Sequence, residues 1–244
     1  MGLDLSNMQP PSYVKRRERG RFLLTVHSIP RNLRFRVPKD FEGPSWALGE
    51  DSWDLIHIRQ ACGSVSSWPE LYQKVFRYVT THFPVEGLPK LMKESHLKPS
   101  TGYVEQVEID LTPRCDDGTL PPSPMVDWYN HLKDATRRSG KPIEYQQNTR
   151  QLLETAGFTE IQEQIIRAPF NPWSKDPHQK EIGRWYCVGA ADAIEALSMA
   201  PFTRAFHWPA TTVKRYAEDV QKCLMTRKYH GFHNIHIWTA RRPL

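Results

Sequence analysis

The sequence has no long apolar run and no paired cysteine motif. No segment approaches the ~18 apolar residues of a membrane-spanning helix, and the N-terminus lacks a secretory signal pattern. The cysteines lie far apart and form no C-x-x-C pair; they are Cys62, Cys115, Cys187 and Cys223. These absences predict a soluble protein of a reducing intracellular compartment, with no membrane partner and no disulfide framework.

Familiar catalytic and ligand-binding motifs are also missing. The chain has no Walker loop, no G-x-S-x-G and no G-x-G-x-x-G after a strand, which leaves kinase and hydrolase functions without support. Three histidines near the C-terminus, His230, His233 and His236, are three residues apart. In a strand, that spacing places His233 and His236 on opposite faces. The sequence therefore predicts no metal site.

The charge is modestly basic and unevenly distributed. The net charge is +6, with 39% hydrophobic and 25% charged residues, which is typical of a globular chain. Much of the positive excess falls in residues 15–36 and in the last few residues. No basic face through the folded body is indicated, so no direct nucleic-acid binding is expected. A length of 244 residues suits one domain.

Residues 53–58, WDLIHI, are the segment around which the other elements can be arranged. This apolar, β-branched run predicts a strand buried on both faces of a parallel sheet. Arg59 and Gln60 follow it, where an open α/β sheet places its ligand crevice. Ser67 and Glu70 then form a capping box at the start of an amphipathic helix. Together they predict one βα unit of an α/β fold.

Further elements are predicted along the rest of the chain. Strands are expected at 102–111, 158–166 and 232–240, and helices at 128–138, 149–156, 176–197 and from Pro209 onward. In the long helix, Trp185 is expected on the packed side, and Gly189, Ala190 and Ala191 are expected to permit close helix packing. Glu105, Glu108 and Asp110 in the 102–111 strand are candidates for general acid–base work.

Two acidic residues follow short stretches that are predicted to be strands. Asp4 follows a short apolar stretch, and Asp40 follows a predicted strand at 33–37. In nucleotide-type sites, an acidic residue at such a position accepts hydrogen bonds from ribose hydroxyls. The alternative for Asp4 is an ordinary turn aspartate near the chain terminus.

Several longer strings closely resemble the LaeA-type proteins of filamentous fungi. They are GLDLSNMQPP, PKDFEGPSWALGEDSWDLIHIRQACGSVSSWPELYQKVF, GYVEQVEIDLTPRCDDGTL, AGFTEIQEQIIRAPFNPW, WPATTVKRYAEDV and HIWTARRPL. The EDSWDLIH and QVEID…PRCDD strings are specific to this group. The similarity covers nearly the whole chain except residues 13–31 and 79–97.

The resemblance implies a class I, Rossmann-like methyltransferase fold that uses S-adenosylmethionine. It also implies a global regulator of secondary metabolism and development, including sporulation, acting in a nuclear complex with velvet-family proteins. The cytoplasm is a second expected location. Two alternatives are a non-catalytic methyltransferase remnant that serves as a protein-interaction module, and a small-molecule methyltransferase of a biosynthetic cluster.

The resemblance also implies roles for individual residues. Asp4 would bind the ribose at the end of the second strand of the fold, and Asp40 and Phe41 would flank the adenine after the third. After the fourth strand, the methyl-donor pocket would be bordered by Ile58, Arg59 and Gln60. Helices at 176–197 and 209–228 would cap the acceptor side. No metal is implied.

Part of the family pattern is expected upstream of Gly2. That part comprises the first strand, its glycine-rich cofactor loop, the first helix and most of the second strand. Residues 1–244 are therefore expected to form a partial, N-terminally truncated domain, which binds the cofactor when the upstream part is present. Residues 13–31 and 79–97 are expected to be insertions, which we hypothesise are read from unspliced introns.

Overall fold

The computed structural model describes residues 2–3, 35–36, 40–44, 46, 53–77, 102–120 and 122–243. Asp4 and the two predicted insertions, 13–31 and 79–97, lie outside the described residues. The strands are β1 Gly2–Leu3, β2 Phe35–Arg36, β3 Leu55–Arg59, β4 Tyr103–Arg114, β5 Thr159–Pro169 and β6 Phe232–Arg241. The helices are α1 Trp68–Phe76, α2 Pro124–Arg138, α3 Thr149–Ala156, α4 Pro177–Ala205 and α5 Ala210–Met225.

The strand directions bring one end of several strands to a common edge. Strands β3, β4, β6 and β5 form a four-stranded sheet in that order, and β1 pairs with β2 in parallel in a separate ladder. In the larger sheet, β3 runs parallel to β4, whereas β6 runs antiparallel to β4 and β5. The ends of β3, β4 and β5 and the start of β6 therefore share what we call the carboxyl edge. The predicted Rossmann-like α/β class is confirmed.

The prediction that residues 53–58 are buried on both faces is wrong. In β3, exposed and half-buried residues alternate, and Leu55 retains 52% of its surface. Ile56 and Ile58 pack against one core, whereas Leu55, His57 and Arg59 are exposed on the other face. Apolar composition alone gave no sign of this, because burial depends on which segments cover each face of the sheet.

Strand β4 buries its more polar side. Val104, Gln106, Glu108 and Asp110 are all buried, while the residues between them are partly exposed. Tyr72 of α1 donates a hydrogen bond to Gln106 Oε1 over 2.6 Å, which satisfies one atom of this buried amide. Buried polar groups of this kind require partners, so they restrict what can pack on this face.

Helices α1 and α3 cover that face. Ser67 caps α1 by accepting a hydrogen bond from the Glu70 backbone N–H at 3.4 Å, as the capping box predicts. Helix α3 occupies its predicted residues and ends at Gly157, whose φ of 100° is left-handed. A Cβ on Gly157 would lie 2.6 Å from the Phe76 ring, so glycine is required for space as well as conformation.

Helices α2, α4 and α5 pack into a second core, which we call the cap. Trp128 of α2 donates a hydrogen bond to Ser198 of α4 at 2.7 Å, and Phe202 is fully buried. Sequence reasoning placed α4 and α5 over the acceptor side; α2, which begins four residues earlier than predicted, is the third member. The expectation that Trp185 is packed is wrong, because it is 71% exposed. The predicted close packing is wrong for Gly189, which has open space around it, whereas Ala191 is buried in the cap as predicted.

Candidate functional site

The described residues of the predicted cofactor site lie on two loops and at the end of β3. We call residues 40–44 the first loop and residues 60–64, which follow β3, the second loop; Ile58 and Arg59 are the last two residues of β3. Phe41 and Ile58 are half-buried and pack against the same sheet core. Asp40, Arg59 and Gln60 are exposed at its border. The structure therefore places Phe41 and Ile58 on one core, and the predicted role of Asp4 lies outside the described residues.

The first loop is held by a lysine of α1. Lys74 Nζ donates hydrogen bonds to the backbone carbonyls of Phe41, Glu42 and Gly43 at 3.3, 2.6 and 2.6 Å. Burial lowers the pKa of Lys74, although the charge of Asp40 acts in the opposite direction. An ammonium group has three donors, and here all three bind carbonyls of the first loop, so α1 fixes the conformation of that loop.

Glu42 joins the first loop to the second. Its carboxylate accepts hydrogen bonds from the Ser66 backbone N–H at 2.6 Å and the Ser66 hydroxyl at 2.7 Å. It also pairs with Lys141 at 3.0 Å, and Lys141 donates to the Ser64 carbonyl at the same distance. Burial acts to raise the pKa of Glu42, but these bonds outweigh it and hold the pKa below its ordinary value.

The side chain of Asp40 shapes the first loop. Its Oδ1 accepts a hydrogen bond from the Glu42 backbone N–H at 2.8 Å, a turn that aspartate favours. Its other carboxylate oxygen accepts no hydrogen bond from the described residues. An exposed carboxylate with one oxygen anchored and no described donor on the other suits the hydroxyls or amino group of a nucleoside.

The second loop is held by Glu108 of β4. This buried carboxylate accepts hydrogen bonds from the backbone N–H groups of Ala61 and Cys62 at 2.9 and 3.3 Å. Burial raises the pKa of Glu108, and the two N–H donors offset only part of that effect. Gln60 is held at a φ of 51°, a conformation that is uncommon for a side chain larger than glycine and is enriched at ligand sites.

The structure assigns different surroundings to the three acid–base candidates of β4. Glu105 forms an exposed pair with His57 at 2.8 Å, and the oxygens of Glu108 are occupied by the second loop. Asp110 accepts hydrogen bonds from the Thr112 N–H and Arg114 at 3.0 and 2.7 Å. Burial acts to raise the pKa of Asp110, but these bonds hold it below its ordinary value.

These features fit the binding of an adenosyl cofactor at the two loops. Both loops are held by hydrogen bonds to charged side chains of neighbouring segments, so a ligand meets a preformed surface. A cavity of about 410 Å³ adjoins the second loop, lined by residues 65–69, Pro142 and residues 144–146. Sequence reasoning missed Lys74, Glu42 and Lys141, because no local signal links residues so far apart in the chain.

The histidines form no metal site in the described part of the chain, where no cluster of potential metal ligands occurs. As predicted, His233 and His236 of β6 have separate surroundings. His233 Nδ1 is 2.6 Å from the Tyr186 hydroxyl, whereas His236 Nδ1 is 2.7 Å from Glu163.

No helix in the described segments is long and apolar enough to span a membrane.

The chain has relatives of similar sequence among known proteins. Over 245 residues the chain is 52% identical to the secondary metabolism regulator LAE1 of Cochliobolus heterostrophus, covering 100% of this chain and 68% of that protein. The chain belongs to the LaeA/LAE1 family of secondary metabolism regulators. The resemblance read from the sequence strings is confirmed. No protein-family model matches the chain.

Other members of the LaeA/LAE1 family are longer than the matched region. The chain is 39% identical to the protein-methionine methyltransferase laeA of Emericella nidulans and 41% identical to the regulator laeA of Monascus pilosus. It is covered completely in both comparisons but spans only 56% and 57% of those proteins. The chain thus spans little more than half the length of these two relatives.

Solved structures give a weaker similarity. Phosphoethanolamine N-methyltransferase 2 of Haemonchus contortus matches with a TM-score of 0.40 and 13% identity, over 80% of this chain and 34% of that chain. A methyltransferase-like protein of Bacillus halodurans matches with a TM-score of 0.37 and 15% identity, over 84% and 70%. At these values the comparison carries no conclusion about activity.

Proposed function

We propose that this LaeA-family protein is an S-adenosylmethionine-dependent, methyltransferase-like regulator of secondary metabolism and development. The proposal places it in the nucleus, with the cytoplasm as a second location and velvet-family proteins as partners. The observation that carries the enzymatic part is the pair of locked loops at the carboxyl edge. The regulatory part is supported by the names of the relatives, LAE1 and laeA.

In this proposal the chain contributes positioning rather than covalent chemistry. S-adenosylmethionine, when bound together with the upstream part of the domain, supplies a methyl group on a positively charged sulfur. Phe41 and Asp40 would flank the adenine, and Asp4 would bind the ribose. Ile58, Arg59 and Gln60 would border the donor group. The cap would exclude water from the acceptor, so that the reacting atoms are held in line.

The Emericella nidulans relative makes a methionine thioether one candidate acceptor, because its name specifies protein methionine. A thioether needs no proton removed before it attacks a methyl group. Its product is a sulfonium, whose positive charge the acidic residues of the carboxyl edge would stabilise. The acceptor side would then need carboxylates more than it needs a base.

The first test is complementation of a strain that lacks the gene. We expect Asp40→Ala to lower the output of secondary metabolites, because a loss of about 1.4 kcal/mol of ligand binding weakens cofactor affinity about tenfold. The matched control is Asp134→Ala on α2, an exposed aspartate paired with Arg138 at 2.7 Å. We expect the control to leave the output unchanged, since exposed pairs contribute little.

The same strains separate the alternative functions. Full output with Asp40→Ala would contradict the enzymatic role and favour a protein-interaction module. A fluorescent tag at the chromosomal locus reports where the protein resides. Exclusion from the nucleus, together with loss of a single compound class, would instead favour a small-molecule methyltransferase of a biosynthetic cluster.

A further inference from the structure

Strand β5 is the last strand of the four-stranded sheet, and the side that faces away from β6 has no neighbouring strand among the described residues. Four consecutive residues at its middle, 162–165, are exposed, although they alternate between the two faces of the sheet. Ile165 retains 53% of its surface. An uncovered outer strand of this kind presents a row of unpaired backbone N–H and C=O groups to another chain.

The part of β5 that is open to another strand has definite ends. Arg150 of α3 donates a hydrogen bond to the Ile161 carbonyl at 3.0 Å, which occupies the strand before residue 162. Pro169 has no N–H to donate, so a ladder loses its donor after residue 168. Among the described residues, residues 162–168 form no backbone–backbone hydrogen bond outside the β5–β6 ladder. We call residues 162–168 the open segment, and Ile165 is its midpoint.

The sequence of the open segment is complementary to itself. When two copies pair antiparallel about Ile165, Glu163 of each copy lies opposite Arg167 of the other, because both are two residues from the midpoint. Gln164 lies opposite Ile166, and the two exposed Ile165 side chains lie opposite each other. Opposite-charge and apolar cross-strand pairs of this kind stabilise a ladder.

The other symmetric registers are less favourable. Pairing about Glu163 or about Arg167 places that charge opposite the same charge in the second copy, which is destabilising. Pairing about residue 164 places Arg167 opposite Ile161, whose carbonyl is already bonded. Pairing about residue 166 places Glu163 opposite Pro169. The charges of the open segment therefore select the register about Ile165.

Both charged side chains are oriented by contacts within their own chain and keep hydrogen-bonding groups for a second copy. Glu163 Oε1 lies 2.7 Å from His236 Nδ1, and one guanidinium nitrogen of Arg167 donates to Asp116 at 2.6 Å. A carboxylate has a second oxygen and a guanidinium has five donors. Because the two side chains are already ordered, less of their conformational entropy is lost on pairing.

We propose that the open segment is a homodimerisation surface, at which β5 of two copies pairs antiparallel about Ile165 to join the two four-stranded sheets into one. The ladder covers only residues 162–168, which is a small interface, so the dimer is reversible and depends on protein concentration. The paired strands run in opposite directions, so the two carboxyl edges lie at opposite ends of the joined sheet. Each copy keeps its own candidate cofactor site, and the inference does not depend on the proposed function.

The test places a charge at the midpoint, where the two-fold axis brings residue 165 of one copy against residue 165 of the other. The full-length protein, with any upstream part encoded at its locus, is purified, and its mass is measured by sedimentation over a range of concentrations. We expect the wild type to change from one copy to two as the concentration rises. Ile165→Lys and Ile165→Asp should each remain monomeric, because like charges then face each other. An equimolar mixture of the two variants should recover the dimer, because opposite charges then face each other.

The matched control is Leu55→Lys on β3, at the other end of the sheet, where the leucine has a similar exposure of 52%. We expect this variant to dimerise like the wild type. A wild-type protein that stays monomeric at every concentration would overturn the proposal, and so would a dimer that Ile165→Lys leaves intact. The proposal also fails if the mixed variants do not pair, or if Leu55→Lys abolishes the dimer, since the contact would then lie elsewhere.

Discussion

Replacing Phe202 with alanine should lower the free energy of unfolding by about 3–5 kcal/mol, the cost of removing a large aromatic from a packed core. Phe202 is fully buried at the centre of the cap. Its ring lies 5.4 Å from Trp208, 5.7 Å from Phe206 and 6.3 Å from His131. These rings come from different parts of the cap, so they cannot easily collapse into the space that the substitution leaves.

Trp185→Ala on the same helix is the matched control. Its side chain is 71% exposed, and its indole N–H donates a hydrogen bond to Glu181 on the preceding turn of the helix. We expect a change of no more than about 0.5 kcal/mol. Urea denaturation followed by circular dichroism measures both variants. Equal losses in the two would mean that the cap does not have the core described here.

Acidification should destabilise the protein through His233. The free energy of unfolding should fall by up to about 1.4 kcal/mol per pH unit wherever His233 is protonated in the unfolded chain but not in the folded one. His233 is only 2% exposed, and burial lowers its pKa from 6.5 to about 3. Between those values the unfolded chain binds a proton that the folded chain does not. Stability is therefore complete above pH 6.5 and is progressively lost as the pH falls toward 3.

The check is the pH dependence of stability in wild type and in His233→Gln, from urea titrations between pH 4.5 and 7.5. The difference between the two curves should flatten above about pH 6.5 and widen below it in favour of the variant. Glu42 and Asp110, whose pKa values are lowered, lose their contributions only below about pH 4.5. Parallel curves would show that His233 is protonated equally in both states.

Features encoded by neighbouring residues could be predicted from the sequence. Ser67 caps α1 and Gly157 ends α3 as expected, since a cap depends on residues within one turn. Helix α4 has apolar residues around much of its circumference, so periodicity could not show that Trp185 faces outward. The exposed face of β3 was missed because burial there depends on segments distant in the sequence.

In the candidate site, too, some features could be predicted from the sequence and others could not. The sequence resemblance predicted roles for Asp40, Phe41, Ile58, Arg59 and Gln60, and the structure places them on the first loop, at the end of β3 and at the start of the second loop. The residues that lock those loops were not predictable in these roles. Lys74 reaches carbonyls more than 30 positions away, and Lys141 reaches Glu42 across 99 positions. Such contacts appear only when the chain is folded.

The most direct test of the central claim is photolabelling of the protein, purified from its own locus, with tritiated S-adenosylmethionine under ultraviolet light. Mass spectrometry of the digested protein then locates the label. The account predicts label in peptides that contain residues 40–46 or 58–62, and its displacement by unlabelled S-adenosylhomocysteine. Label confined to other parts of the protein, or no displaceable label, would contradict a cofactor site at this edge of the sheet.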